Sequence, residues 1–76
     1  RIGVRRVPGG TYAVFTTPKS NTYDFINTIH RTWQFILNEW LPGSAYKHRG
    51  TPDFEVYNEE SRSFQEKIYI PVIKEE

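Results

Sequence analysis

The chain has 76 residues, with ten Lys and Arg against nine Asp and Glu, a net charge of +1 and no cysteine. This length suits one small domain with a thin core, and the balanced charge argues against a nucleic-acid-binding surface. The lack of cysteine excludes a disulfide framework and a thiolate zinc site, and it favours a cytoplasmic setting. No apolar run is long enough to span a bilayer, so the sequence predicts no membrane contact.

The first part of the chain is predicted to form two strands joined by a turn. Residues 1–7 alternate, with Ile2 and Val4 on one side, and Pro-Gly-Gly at 8–10 is typical of a turn. Residues 11–17 are rich in β-branched and aromatic side chains and are followed by proline, which indicates a second strand.

After about residue 20, the spacing of the apolar residues changes to that of a helix. Ser20 or Asn21 can cap its N-terminus, and Leu41-Pro42-Gly43 is expected to end it after about 18 residues. The apolar residues of this segment fall on one stripe, which consists of Ile26, Ile29, Trp33, Ile36, Leu37 and Trp40. Such an amphipathic helix is expected to lie across a sheet.

The second part of the chain is predicted to hold a loop and two more strands. Residues 45–51 are polar and indicate a connecting loop, and residues 53–57 form the next strand. A polar turn at 58–64 precedes the last strand at 66–73, in which Pro71 is expected at a sheet edge or strand end. The order predicts an α+β fold, an antiparallel sheet with one long helix on one face.

Four segments of the sequence together resemble a known family. They are VPGGTYAVF, EWLPGSAY, PDFEVY and IYIPV, in this order. They resemble the GyrI-like small-molecule-binding domain, the effector-binding domain of Rob/BmrR-type multidrug-responsive transcription regulators, over about Val4 to Val72. The resemblance implies two facing strand-helix-strand-strand modules with a ligand pocket between them. The chain, residues 1–76, resembles the C-terminal module, and residues 1–7 resemble the last strand of a first module.

The missing first module leaves two arrangements open. Either this chain is a piece of a longer protein and pairs with an N-terminal module, or two copies form a homodimer. A chain that starts with Arg1 and has no methionine is expected to have residues before it. By the resemblance, DNA would be bound only through a separate domain that is not present here.

Glu55 is the candidate residue on which the prediction of a ligand-binding site depends. Alternation along its strand places Phe54 and Val56 on one face, which the helix is expected to cover, and Glu55 and Tyr57 on the other. From the pattern alone, Glu55 is a residue of a solvated sheet face. The resemblance implies instead that Glu55 is the carboxylate that receives cationic ligands.

Aromatic residues supply the candidate walls of the ligand site. Tyr57 and Tyr69 are predicted to lie opposite the helix-covered face, where exposed strand tyrosines are also common. Trp33 and Trp40 lie on the helical stripe and are expected in the core. The resemblance implies that Trp40 also lies near the pocket.

The remaining polar residues predict neither a metal nor a cofactor. His30 and His48 are the only histidines, and a metal site needs more ligands at a coordinated spacing. Ser44 and His48 lack a third member that would make them a nucleophile and its base.

The sequence therefore predicts the binding of bulky apolar cationic small molecules by the effector-binding part of a transcription regulator. Two alternatives stay open. One is a standalone hydrolase or sequestering protein for toxic electrophilic small molecules, because some members of the family resembled use a Glu and a Trp in hydrolysis. The other is a protein-interaction module. No catalytic residue is assigned.

Overall fold

The computed structural model describes residues 2–7, 9–57 and 64–74. Its elements are, in chain order, β1 (Ile2–Val7), β2 (Gly10–Thr16), α1 (Phe25–Phe35), a π-helical turn (Ile36–Trp40), α2 (Leu41–Gly43), β3 (Tyr46–His48), β4 (Phe54–Tyr57) and β5 (Glu66–Lys74). The three helical elements are continuous and form one helix of 19 residues packed against the sheet. The predicted α+β fold is therefore confirmed.

All five strands belong to one antiparallel sheet, in which β5 is central. One side of β5 pairs with β2, whose other side pairs with β1. The opposite side of β5 pairs with β4 over its first half and with β3 at its end. The predicted turn at 58–64 lies outside the described residues except for Phe64.

The strand β3 was not predicted, since residues 45–51 were expected to form a loop. The Ser44 hydroxyl donates to the carbonyl of Leu41 at 3.0 Å and accepts from the N–H of Tyr46 at 3.1 Å. These bonds close the helix and turn the chain toward β5, where Tyr46 opposes Lys74. Backbone pairing with a long neighbour supplies the strand that the polar side chains did not indicate.

The core lies between the helix and one face of the sheet. Its buried members are Ala13, Phe15, Ile36, Ile68, Ile70 and Val72. The partly buried side chains packed against them are Trp33, Trp40, Leu41 and Tyr46. Among the described residues, no helix has both the length and the apolar content needed to cross a membrane.

The π-helical turn changes which helix residues face the core. It ends two residues before Pro42, which has no N–H and disfavours an α-helical turn in front of it. The Leu41 N–H bonds to the carbonyl of Ile36. The extra residue in this turn directs Ile36 and Leu41 toward the sheet. Leu37 and Ile26 are 54% and 59% exposed. The predicted stripe is therefore wrong at these two positions.

The start of the helix is organised by Asn21, one of the two predicted caps. Its Oδ1 accepts hydrogen bonds from the N–H groups of Tyr23 and Asp24 at 2.9 and 3.0 Å, which forms a turn before the helix. Ser20 instead pairs with Phe64 across the sheet.

Pro71 lies inside the central strand, so its prediction at an edge or strand end is wrong. It opposes Tyr12 of β2, and its carbonyl accepts from the N–H of Arg49 at 2.9 Å on the other side. The N and O atoms of one strand residue point to the same side, so the missing N–H of Pro71 also faces that side. The pairing of β5 with β4 ends at Tyr69, and its pairing with β3 begins at Val72. Neither neighbouring strand therefore needs a hydrogen-bond donor at Pro71.

Candidate functional site

The register between β4 and β5 decides which face of the sheet carries Glu55. Glu55 opposes Ile68 and Tyr57 opposes Glu66, whereas Phe54 opposes Tyr69. Directly opposed residues point to the same face, and Ile68 is fully buried in the core beneath the helix. The predicted assignment of faces is therefore wrong, because Glu55 and Tyr57 lie on the helix side.

The assignment of faces was wrong because of the two-residue period of a strand. Alternation shows which residues share a face, but a register shift of one residue exchanges the two faces. In β4 the Phe54 and Val56 side chains are 44% and 47% exposed, on the face away from the helix. The pattern could not show this because both faces of β4 carry an aromatic residue.

A side-chain hydrogen bond connects Glu55 to Trp33 of the helix. The indole Nε1–H of Trp33 donates to Oε2 of Glu55 at 3.2 Å. Trp33 also packs against the core cluster, so its prediction as a core residue is correct but incomplete. The indole holds the carboxylate at the rim of the helix, where it remains accessible to solvent.

Glu66 is a site residue that the sequence reasoning missed. Only 6% of its surface is exposed, and its backbone N–H donates to Oγ1 of Thr17 at 3.0 Å. Burial, and then a side-chain hydrogen bond and charge repulsion from Glu55, raise its pKa from 4.5 to about 7. A signal was present, because Glu66 is in phase with the buried Ile68 and Ile70, and an acid at a core position needs a partner.

Three aromatic rings form a cluster beside this carboxyl pair. Phe25 of the helix lies 5.5 Å from both Tyr57 and Phe64, measured between ring centroids, and the last two rings lie 6.5 Å apart. Tyr57 opposes Glu66 and is 44% exposed, so it lies on the same face as the pair and is accessible to solvent. Accessible rings next to carboxyl groups are suited to binding an apolar cation.

The other two predicted ligand residues lie elsewhere. Trp40 contacts Phe15 edge-to-face at 5.0 Å and stacks on Tyr46 at 6.2 Å, near β3. Tyr69 stacks on Phe54 at 4.5 Å on the face away from the helix. Glu55 and Tyr57 therefore share a site, while Tyr69 is separated from them by the sheet.

The face away from the helix carries its own aromatic cluster. Tyr12 contacts Phe54 and Tyr69 at 5.4 and 6.2 Å, and the Arg49 guanidinium lies 5.2 Å from the Tyr12 ring centroid. Arg49 also donates to the carbonyl of Gly9 at 2.8 Å. A Cβ atom at Gly10, whose φ is +137°, would clash with this guanidinium. Arg49 thus has a structural role between the first turn and β3.

A groove of about 860 Å³ lies between the helix and the β1–β2 hairpin. Its walls include Ile2 and Phe15 from the strands and Thr28, Arg31 and Phe35 from the helix. None of the four predicted ligand residues lines this groove. The groove and the carboxyl pair are therefore separate features of the helix-side surface.

The histidines form no metal site in the described part of the chain, where no group of three or more potential ligands occurs. His48 Nε2 pairs with Oδ1 of Asp53 at 2.6 Å, and its Nδ1 accepts from the N–H of Gly50. Among the described residues, Ser44 bonds only to nearby backbone groups. His48 and Ser44 thus serve the conformation of the loops around β3.

The helix side of the sheet thus carries two neighbouring glutamates and an accessible tyrosine, which can supply charged and apolar contacts to a small molecule. The family model described as Cass2, integron-associated effector binding protein, matches residues 1–72. The chain therefore belongs to this effector-binding family, which supports small-molecule binding as its general function and agrees with the GyrI-like resemblance. Searches of curated proteins and of solved structures gave no significant match.

Proposed function

We propose that this chain binds bulky apolar cations and is the effector-binding part of a transcription regulator whose DNA-binding domain is a separate unit. The observation that carries this proposal is the Glu55 carboxylate, held at 3.2 Å by the Trp33 indole at an accessible rim of the helix. Membership of an effector-binding family supports it.

The charge around Glu55 favours a cationic ligand. Within residues 2–7, 9–57 and 64–74, the one ion pair joins His48 to Asp53, so neither Glu55 nor Glu66 has a basic partner there. A carboxylate in a partly shielded site without a countercharge attracts a cation that brings one.

The aromatic surroundings favour an apolar cation over a hydrated inorganic one. The Trp33 indole touches the carboxylate, and the Tyr57 ring, 44% exposed, lies on the same face. These rings supply cation–π and apolar contact to an organic cation. The proposed ligand contacts are therefore Glu55, Trp33 and Tyr57, while the contacts of Trp40 and Tyr69 with a ligand remain predictions.

The test is a binding titration with tetraphenylphosphonium as the cationic probe and triphenylphosphine oxide as a neutral comparison. Glu55→Gln should weaken binding of the cation by about 1–3 kcal/mol, because it removes a charged contact in a shielded site. The neutral compound should bind the two proteins equally. Glu39→Gln is the matched control, because Glu39 is an exposed glutamate of the π-helical turn. Equal affinity of wild type and Glu55→Gln for the cation would reject the assignment.

A hydrolase of electrophilic small molecules is the second candidate, and the carboxyl pair is the observation that favours it. A pKa of about 7 makes the Glu66 carboxyl a proton donor near neutral pH, next to the carboxylate of Glu55. In such a reaction water would add across a strained bond, with Glu55 accepting its proton and Glu66 protonating the leaving atom. Incubation with an electrophilic probe, followed by mass spectrometry, separates the two functions. Recovery of unchanged probe supports the sensor, and a product gaining one water only with intact Glu55 supports the hydrolase.

A second module is part of the same proposal. The Ile2 and Val4 side chains of β1 are 46% and 45% exposed on the helix side, next to the groove. Either an N-terminal module or a second copy would bury them. Tyr69 lies on the face of the sheet opposite to Glu55 and Tyr57, so these three residues do not form one pairing surface.

A further inference from the structure

The two glutamates of the site are neighbours across two paired strands. Glu55 opposes Ile68, and Glu66 lies two residues before Ile68 on β5, so the two acids are diagonal neighbours on the helix side. A side-chain hydrogen bond with Glu55 is one cause of the raised pKa of Glu66, which is consistent with two carboxyl groups within hydrogen-bonding reach of each other. A hydrogen bond between two carboxyl groups requires a proton on one of them, because two carboxylates are acceptors only.

The environment assigns this proton to the buried member. Glu66 is 6% exposed, whereas Glu55 is exposed at the rim and already accepts from the Trp33 indole. Burial disfavours the charged form of Glu66, and the neighbouring Glu55 disfavours it further, so the pKa of Glu66 rises to about 7.

Among the described residues, the groups known to face the pair offer no compensating charge. Strand β4 contributes the Tyr57 phenol, the helix contributes the Trp33 indole, and the chain after β2 contributes the Thr17 hydroxyl. Lys67 opposes Val56 and points to the other face of the sheet. In the described part of the chain, neither acid therefore forms an ion pair with a basic residue.

We propose that a cationic ligand at Glu55 displaces the proton shared by Glu55 and Glu66, so that cation affinity rises with pH and binding releases a proton. This inference rests on the proposed function, since it concerns the same ligand site. The ligand's charge stabilises the doubly ionised pair, and the released proton passes to solvent. A neutral ligand supplies no such charge and releases no proton.

The direction and size of the effect follow from the titration of Glu66. A group with a pKa of about 7 is mostly protonated at pH 6 and mostly ionised at pH 8. If the bound cation returns the group to its ordinary range, cation affinity should be about tenfold higher at pH 8 than at pH 6.

Titration with tetraphenylphosphonium at pH 6, 7 and 8 and constant ionic strength tests this linkage, because the charge of this cation does not change with pH. Calorimetry at pH 6 in two buffers of different ionisation enthalpy counts the protons released and needs no variant. Glu66→Gln retains the neutral shape of the protonated acid. Its affinity for the cation should therefore change by no more than about twofold between pH 6 and pH 8. Glu39→Gln should keep the wild-type dependence.

Each outcome has one meaning. A rise in cation affinity with pH that Glu66→Gln abolishes, together with proton release by the wild type, supports the inference. Cation binding that is independent of pH, or a dependence that persists in Glu66→Gln, overturns the inference and leaves the proposed function intact. Failure of the cation to bind at every pH overturns the proposed function and this inference with it. Should Glu66→Gln not fold, proton release by the wild type decides: release supports the linkage, and its absence rejects it.

Discussion

The Trp33 indole donates to the Glu55 carboxylate across 3.2 Å and thereby joins the helix to strand β4. This contact connects a core residue to a candidate ligand residue. The position of the helix and the orientation of the carboxylate are therefore linked. Substitutions of Trp33 and Trp40 should distinguish effects on ligand binding from effects on stability.

Trp33→Phe should weaken binding of tetraphenylphosphonium by about 0.5–1.5 kcal/mol, because phenyl lacks the N–H and is a poorer cation–π partner than indole. Trp40→Phe should leave cation affinity unchanged and lower the free energy of unfolding, since Trp40 packs on Phe15 and Tyr46. Calorimetric titration and urea unfolding of both variants measure the two effects. The reverse result, with Trp40→Phe alone affecting cation affinity, would place the ligand near β3.

The stability of the free protein should depend on the ionisation of Glu66. Its pKa is raised from 4.5 to about 7 on folding, so its stabilising contribution is complete below pH 4.5 and is lost as pH rises through about 7. Between these limits the free energy of unfolding should fall by up to about 3 kcal/mol. Glu66→Gln cannot ionise and should be more stable than wild type at pH 8. Urea unfolding of both proteins from pH 5 to pH 8.5 measures how the free energy of unfolding depends on pH. The same pH dependence in wild type and Glu66→Gln would contradict the prediction.

Alanine substitutions at two adjacent helix positions test the π-helical turn. Ile36 is fully buried and Leu37 is 54% exposed, although a regular α-helix was predicted to bury both. Ile36→Ala should cost about 2–5 kcal/mol of unfolding free energy, because it leaves a cavity in the core. Leu37→Ala should cost less than about 1 kcal/mol in a single-module sample. Similar losses at both positions would favour the regular helix.

A second module or second copy should bury the β1 edge of the groove. If two copies pair there, analytical ultracentrifugation of the wild type should show a dimer, and Val4→Asp should shift it to monomer with little change in thermal stability. Val4 is 45% exposed on the helix side of an edge strand, so a polar residue is tolerated in the isolated module. Tyr23→Ser, at a site 92% exposed beside the helix start, is the control and should leave the mass unchanged. A wild type that stays monomeric and binds its cation shows that one module suffices.

The sequence by itself determined the order and most of the extents of the elements other than β3. Strands β1, β2 and β5 and the long helix were predictable because side-chain period and turn residues are local properties of the chain. The end of the helix at Gly43 and the turn before β2 follow from proline and glycine in the same way.

The tertiary structure alone decided the site. Which face of β4 the helix covers depends on its register with β5, and the alternation of Phe54-Glu55-Val56-Tyr57 is equally compatible with either register. The Glu55–Glu66 pair requires two strands that an intervening segment separates, so no local pattern joins them. The contact of Glu55 with Trp33 rather than Trp40 likewise depends on where the helix crosses the sheet. Local chemistry therefore determined which residues carry charge and rings, and long-range pairing determined which of them meet.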